Sequence, residues 1–491
     1  MATPSKNKAS TPPLGRYLRR FTLQNVRTFR SPVTLDFCHP DGKVAQWTVI
    51  LGENGTGKTT LLQYLAGMMP VQDRELANVP VEDGKKVEGL AFRPLVSTEE
   101  WLNWHVGNLP QPWNKPMELR ASFEVSASAG SLESAGPSEF VEPFGLHLTV
   151  GETSEGRANI QLSIIGSLGI EYYDQFRMFG YGASRHVAGS ASPYVTSDSF
   201  FQNGGGSPVG TLFHDDHPLI SPEQWLLSLD HALARAQGKG AQSIKRAYES
   251  ARRCLTMSLP DISEVTVRPY GFVTGQTPMT LLCKTPFSPR PVPFSALSIG
   301  YRTMAAWLTD FVKRMHEAFP GMDEPDDGPA VVLIDEFDLH MHPKWQREAM
   351  TALSAEFPNT QFIVTAHSPI VVRATEGNAK LIVLRRKKRE DGLEEVEVID
   401  NPEFAAGWRV DQILESVYGM SARLPEFSDL MTRRIELRKK EKLTKAEKGE
   451  LKKIEARIEA EAPPEASDAS QRFFSNLQRA LDRAEAKQKV K

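Results

Sequence analysis

Apolar positions recur along this chain with two different periods, and the switches between them mark out its elements. From Arg19 to Phe37, "RRFTLQNVRTFRSPVTLDF" alternates apolar and polar residues and predicts two antiparallel strands joined near Arg30–Pro32. "WTVILG" is a continuous apolar run that predicts a buried strand; it breaks into glycines and resumes as an apolar-striped helix, "KTTLLQYLAG". "MELRASFEVSA", "FGLHLTV" and "ANIQLSII" again read as strands, set between Gly/Ser/Pro-rich turns.

The period changes to 3.6 at "SPEQWLLSLDHALARAQ". Ser221 is the expected N-cap, Pro222 the first helical residue and Gln224 the capping-box partner, with Trp225, Leu229 and Leu233 as the stripe. Gly238 and Gly240 are expected to break this helix, and "SIKRAYESARRCL" resumes with Ile244, Tyr248, Ala251 and Leu255 on one face. Strands return between Val265 and Cys283, and a proline-rich linker leads to a helix striped by Tyr301, Met304, Ala305 and Leu308. "AVVLIDEF" and "QFIVTAHSPIVV" read as buried parallel strands. "AKLIVLRRKKREDGLEEVEVID" reads as a hairpin around Asp391–Gly392. Beyond Phe404 the chain is helical and charge-dense, with "LTKAEKGELKKIEARI" capped by Thr444 and Glu447. A flexible linker near 461–470 precedes a last short helix from Gln471 to Ala486. Sustained heptads are missing, so the helical insertion at about 221–256 is not a coiled-coil arm.

Composition narrows the class without choosing the function. At 491 residues and 40% hydrophobic, the chain can bury a large core and hold subdomains around a common sheet. A net charge of −3 gives no general nucleic-acid coat, so DNA contact would need a local patch. The run "RRKKRE" (Arg385–Glu390) is the candidate patch, and is most simply a solvated hairpin end. Cys38, Cys254 and Cys283 lie far apart, which offers neither a disulfide framework nor a zinc ribbon and fits a reducing cytoplasm. No apolar run reaches the ~18 residues of a membrane-spanning helix, so no membrane partner is expected. The basic N-terminus has no apolar h-region, and residues 1–18 are expected to form a disordered arm.

Four stretches carry chemistry. Gly52, Glu53, Asn54, Gly55, Thr56, Gly57, Lys58 and Thr59 fit G-x-x-x-x-G-K-[ST] without a gap, and Thr60 follows. Glycines let backbone N–H groups close around phosphate oxygens, Lys58 adds a point charge, and the Thr59 hydroxyl can ligate Mg2+. In "AVVLIDEFD", apolar residues deliver Asp335 to a strand end where its carboxylate can hold the Mg2+ water shell, and Glu336 is placed to polarise an attacking water. In "IVTAHSPIVV", His367 stands at a strand end from which an imidazole can contact a γ-phosphate. In "ALSIGYRTM", Ser298, the Gly300 amide and a helix N-terminus form an anion site. Its plainer reading is an N-cap with a packing glycine.

In this order the four stretches resemble an ABC-type ATPase, and Leu297, Ser298 and Gly300 resemble the signature L-S-x-G. The finer resemblance is to the RecF/SMC-like branch and its relatives in bacterial anti-phage defence. "FTLQNVRTFRSPVTLDF" resembles their opening hairpin, "GYGASR" (Gly180–Arg185) their G-Y-G-x-S-R segment, "LSIGYRTM" their L-S-D-G-Y-R-T-M, and "DEFDLHMHP" their D-E-x-x-x-H-L-H-P run. The tail from Val410 to Leu451 also looks like the tail of that group. Two departures stand out: Ile299 replaces the usual aspartate or glycine, and no glutamine lies inside "GYGASR". Gln175, Ser184 and Arg185 are then the candidates for the Q-loop role.

The resemblance implies an α/β fold: an ABC-type P-loop ATPase head (19–400) with an antiparallel β subdomain, a small helical insertion and a helical C-terminal extension (401–491). It implies ATP and Mg2+ as ligands. It also implies a homodimer or higher oligomer in which Ser298 and Gly300 cap the nucleotide bound by the other protomer. His340 and His342 fall in what it makes a D-loop, a dimer-contact turn, and not a metal cluster. Septu-type defence ATPases have an HNH nuclease as family partner, and this chain shows no HNH constellation of its own. The expected output is therefore gating of a separate effector. A RecF-like repair ATPase contacting DNA, an ATP-sensing scaffold with little turnover and a transporter subunit are the rival readings.

Overall fold

The computed structural model describes residues 15–73, 91–94, 117–126, 140–152, 158–165, 177–185, 208–259, 261–270, 279–368, 370–371, 379–389, 392, 394–400, 425–440 and 444–461. The chain forms two compact units, 1–413 and 414–491.

The opening alternation becomes β1 (Gly15–Gln24) and β2 (Val33–Asp36), antiparallel with Leu23 opposite Val33. After β3 (Trp47–Gly52), α1 (Lys58–Gly67) and the short pair β4 (Pro70–Asp73) and β5 (Ala91–Pro94), three strands enlarge the first sheet. These are β6 (Met117–Ser126), β7 (Phe140–Glu152) and β8 (Ala158–Ile165), giving the antiparallel order β2-β1-β6-β7-β8. The residues expected in a disordered arm need one correction, because β1 begins at Gly15, opposite Ser126. Tyr17 and Leu18 are buried, and the Leu18 N–H donates to Gln361 Oε1 at 2.9 Å, so the sheet starts before the basic pair.

Between β9 (Met178–Tyr181) and the next sheet strands lies the helical insertion, α2 (Pro222–Leu233) and α3 (Gly238–Ser258). Ser221 accepts a 3.4 Å bond from the Gln224 N–H, as its capping position requires. The buried face of α2 is Trp225 and Leu226, while Leu229 and Leu233 are half-buried. Both glycines expected to break the helix sit in the first turn of α3; the break itself is residues 234–237. A three-stranded sheet follows, β10 (Glu264–Pro269), β11 (Met279–Lys284) and β12 (Val292–Pro293), and then the helix α4 (Ile299–Ala318).

The second sheet is completed by β13 (Ala330–Ile334), β14 (Thr360–Ala366), β15 (Ala379–Lys388) and β16 (Glu394–Asp400), with α5 (Pro343–Glu356) between β13 and β14. Its order is β16-β15-β3-β14-β13-β9, parallel except for the β15–β16 hairpin. Every residue of β3, β13 and β14 is buried, which is why these segments read as continuous apolar runs. On one face Ile50, Val331, Leu333, Ile363 and Ile382 share a core with α1 and the first sheet. On the other, Trp47 stacks on Phe362 at 4.3 Å and Phe311 of α4 packs against Phe357. The carboxyl ends of β3, β14 and β13 consequently lie side by side, where open α/β sheets place their ligands.

The second unit contains α6 (Pro425–Lys439) and α7 (Lys445–Glu461). Thr444 and Glu447 form the expected capping box, and Arg433–Glu450 and Arg438–Glu455 join the two helices at 2.8 and 2.6 Å. The expected last helix lies outside the described residues.

Candidate functional site

The loop from Gly52 to Lys58 links the buried strand β3 to α1. Gly55 and Gly57 have φ of 78° and 89°, the left-handed region that turns successive N–H groups into a concave nest. A Cβ on Gly57 would also lie 2.8 Å from both the Phe29 ring and Thr28 Oγ1, so two constraints meet there. Thr56 Oγ1 donates to the Glu53 carbonyl at 2.8 Å and stiffens the bend. Inside it, Lys58 Nζ donates to the carbonyls of Gly52 (2.7 Å) and Glu53 (2.9 Å). Burial pulls the Lys58 ammonium down to about 8 against the raising fields of Asp335, Glu336, Asp338 and Glu53. The first turn of α1 contains no acidic residue, which leaves its positive end to an anion.

Asp335 follows β13 and is 2% exposed. Its Oδ2 accepts a 2.6 Å bond from Thr59 Oγ1 and its Oδ1 a 2.5 Å bond from Thr365 Oγ1 on β14. Thr365 Oγ1 in turn accepts the Glu336 N–H at 2.8 Å. Glu336 has φ of 48°, a costly conformation for a residue with a side chain, and its surroundings hold it there. Arg185, fully enclosed, donates through Nη2 to the carbonyl of Asp335 and, at 2.7 Å, to that of Glu336. Its Nε donates to Gly182 O at 3.2 Å. Burial brings the Arg185 guanidinium down to about 10, with the three nearby carboxylates of Asp335, Asp338 and Glu336 opposing the fall.

His367 follows β14, with Nε2 4.0 Å from Glu336 Oε1. Asp338 fixes this corner by accepting the backbone N–H groups of His367 (3.1 Å) and Ser368 (2.7 Å). The structure thus gathers Lys58, Thr59, Asp335, Glu336 and His367 at one sheet end. No bond links Ser298 to them among the described residues: Ser298 is exposed at the start of α4 and makes no side-chain cap bond. Gly300 has a packing reason of its own, since a Cβ there would lie 2.5 Å from the His340 carbonyl oxygen.

Several side chains at this site escape sequence reasoning. Thr365 and Asp338 lie inside quoted motifs with no assigned role. Of the three Q-loop candidates, Arg185 is turned inward onto the Asp335–Glu336 backbone, Ser184 is exposed, and Gln175 lies outside the described residues. Arg27 Nη1 donates to Thr60 Oγ1 at 3.0 Å. Arg27 Nε and Thr28 Oγ1, buried beside the loop, have no hydrogen-bond partner among the described residues. The basic run on β15 faces a row of carboxylates on β16: Arg386–Glu394 at 3.7 Å, Lys387–Glu397 at 3.7 Å and Arg389–Glu395 at 3.8 Å. These pairs favour the solvated hairpin end over a nucleic-acid patch.

The donor set fits a magnesium nucleotide. Thr59 and Asp335 are hard oxygen donors 2.6 Å apart, while the nest, Lys58 and the positive end of α1 suit a polyphosphate. Among the described residues, no helix is long and apolar enough to cross a membrane.

Parts of the chain are similar in sequence to known proteins. The family described as "AAA domain, putative AbiEii toxin, Type IV TA system" matches residues 289–373, and one described as "AAA domain" matches 20–69. "Septu protein PtuA" of Bacillus mycoides is 23% identical over 451 residues, 90% of this chain and 50% of that protein. "Retron Vc95 probable ATPase" of Vibrio cholerae is 45% identical over 16% of this chain and 15% of that protein, and "Retron Ec83 probable ATPase" of Escherichia coli 33% over 26% and 22%. The chain spans about half or less of the length of the curated relatives it matches. Among solved structures, an SMC head bound to the C-winged helix domain of ScpA gives a TM-score of 0.40 at 13% identity, covering 79% of this chain and 98% of that one. The SMC head domain from Thermotoga maritima gives 0.35 at 15%, covering 78% and 98%. In sequence, then, the chain is similar to Septu PtuA proteins and, over shorter stretches, to probable ATPases of retrons.

Proposed function

We propose that this chain binds ATP with Mg2+ in the Gly52–Thr60 loop and hydrolyses it, that two copies close around two nucleotides, and that their opening gates a separate HNH-type nuclease in anti-phage defence. The observation that carries the reading is the 2.6 Å contact between Thr59 and Asp335, residues 276 apart in sequence. That contact brings the loop hydroxyl and the strand-end carboxylate together, which supports the reading that both hold one cation. When bound, Mg2+ supplies neutralisation of phosphate charge. Lys58 and the nest position the phosphates, and Glu336, which follows β13 with a positive φ, accepts a proton from the attacking water. His367, 4.0 Å from Glu336, is placed to orient that water or to contact the terminal phosphate.

The dimer reading draws support from Ser298, Ile299 and Gly300. Ile299 is 60% exposed and Ser298 is free of a capping role, so the start of α4 presents an N-terminus to solvent that its own loop does not use. The test is ATP-dependent association followed by light scattering on a Glu336→Gln background, where nucleotide is retained. Association should occur, and Ser298→Arg should abolish it while each monomer still binds ATP. Association that survives Ser298→Arg would return this stretch to an ordinary helix start.

A further inference from the structure

The hairpin strand β15 outruns its neighbour at the phosphate loop. Its pairing with β3 ends at Leu384 opposite Gly52. Arg386, two residues on and on the same face, stands beside the loop's outer edge. Its Nη2 donates to the Asn54 carbonyl, and a Cβ added to Gly55 would lie 3.0 Å from that nitrogen. Glu53 Oε2 and Glu394 Oε2 flank the guanidinium, each at 3.7 Å, one on the loop and one on β16. Lys387, next in the strand, points to the other face and pairs with Glu397 at 3.7 Å.

From this geometry we infer that Arg386 is a positioning residue for nucleotide binding: it pins the Asn54–Gly55 peptide from outside and ties the β15–β16 hairpin to the loop. In a trans peptide the C=O and the N–H point in opposite directions. Drawing the Asn54 carbonyl outward to Arg386 therefore turns the Gly55 N–H away from Arg386. Gly55 is in the left-handed region, where nothing in its own side chain restrains it. The guanidinium is suited to this because its fork can hold a carbonyl while facing two carboxylates. The inference rests on the nucleotide reading of the loop and adds a residue to it that no phosphate-loop motif contains.

The test is titration of a fluorescent ATP analogue into wild type, Arg386→Ala, Arg386→Lys and Lys387→Ala at one ionic strength, with ATP turnover measured alongside. Loss of this single exposed hydrogen bond predicts about 5- to 10-fold weaker binding for Arg386→Ala. It predicts an intermediate loss for Arg386→Lys, and a change within about 2-fold for Lys387→Ala, whose surface pair contributes little. The KM for ATP should rise while kcat at saturation is retained. Wild-type affinity in Arg386→Ala would overturn the inference. So would an equal loss in Lys387→Ala, which would mark a general field effect, or a fall in kcat with KM unchanged. Should Arg386→Ala fail to fold, wild-type affinity in Arg386→Lys overturns it instead. If the wild-type protein itself binds no analogue, the nucleotide reading fails, a result distinct from all of these.

Discussion

Thr365 on β14 holds Asp335 at the end of the neighbouring strand, donating to its Oδ1 at 2.5 Å while accepting the Glu336 N–H at 2.8 Å. One buried hydroxyl therefore orients the carboxylate proposed to hold the cation and the backbone of the carboxylate proposed to act as base.

Replacing Thr365 by valine keeps the shape and removes both bonds. The Glu336 N–H would lose this partner, and the Asp335 carboxylate would keep only its Thr59 bond of the two hydroxyl contacts. The expected cost is about 1–3 kcal/mol of stability, read by urea unfolding. Turnover should fall about tenfold or more, because the proposed base is no longer aligned. Unchanged phosphate release would show that Asp335 is held well enough by Thr59 alone.

Arg185 offers a second separation of fold from function. Its guanidinium sits in an enclosed site that lowers it to about 10, so its charge is not what the fold gains from. What it supplies is three donors to carbonyls of Gly182, Asp335 and Glu336. Arg185→Met should cost about 1–3 kcal/mol in unfolding experiments and leave ATP binding within about 3-fold. It should lower turnover much more, since Glu336 loses the support for its positive φ.

The depressed Lys58 gives a prediction in pH. Its folded value of about 8 lies below the ordinary 10.5, so between those two values the unfolded chain binds more protons. Stability from this group is accordingly lowest below pH 8 and rises as pH climbs towards 10.5. Phosphate beside the ammonium favours its charged form, so ATP binding at pH 8–9 should take up a proton. Calorimetry in two buffers of different ionisation enthalpy measures that uptake, and Lys58→Ala should remove both the uptake and most of the binding.

The parts of this site that depend on short-range rules were legible in the sequence. Glycine spacing announces the nest because only glycine accepts φ near 80° without penalty, and continuous apolar runs announce β3, β13 and β14 because both faces are covered. The β15–β16 hairpin and the Thr444–Glu447 capping box are local for the same reason. Thr365 was not legible: inside a β-branched strand a threonine is indistinguishable from a packing residue until its neighbour is known. Arg185 reaches across 150 residues and Arg386 across 332, distances over which periodicity carries no information. The early start of β1 was hidden because Tyr17 and Leu18 sit beside the basic pair Arg19–Arg20, while what pairs the Leu18 backbone is Gln361, far along the chain. The stripe of α2 shifted to Trp225 and Leu226 because tertiary packing selected an adjacent face.

The most direct test of the account is a paired measurement on Glu336→Gln: bound nucleotide by equilibrium titration and phosphate release under saturating Mg2+ and ATP. The substitution removes the proposed proton acceptor and leaves Lys58, Thr59 and Asp335 untouched. ATP affinity should stay within about 3-fold of wild type while turnover falls by about 100-fold or more. Wild-type turnover in Glu336→Gln, with ATP bound normally, would contradict the assignment of this sheet end as a hydrolytic site.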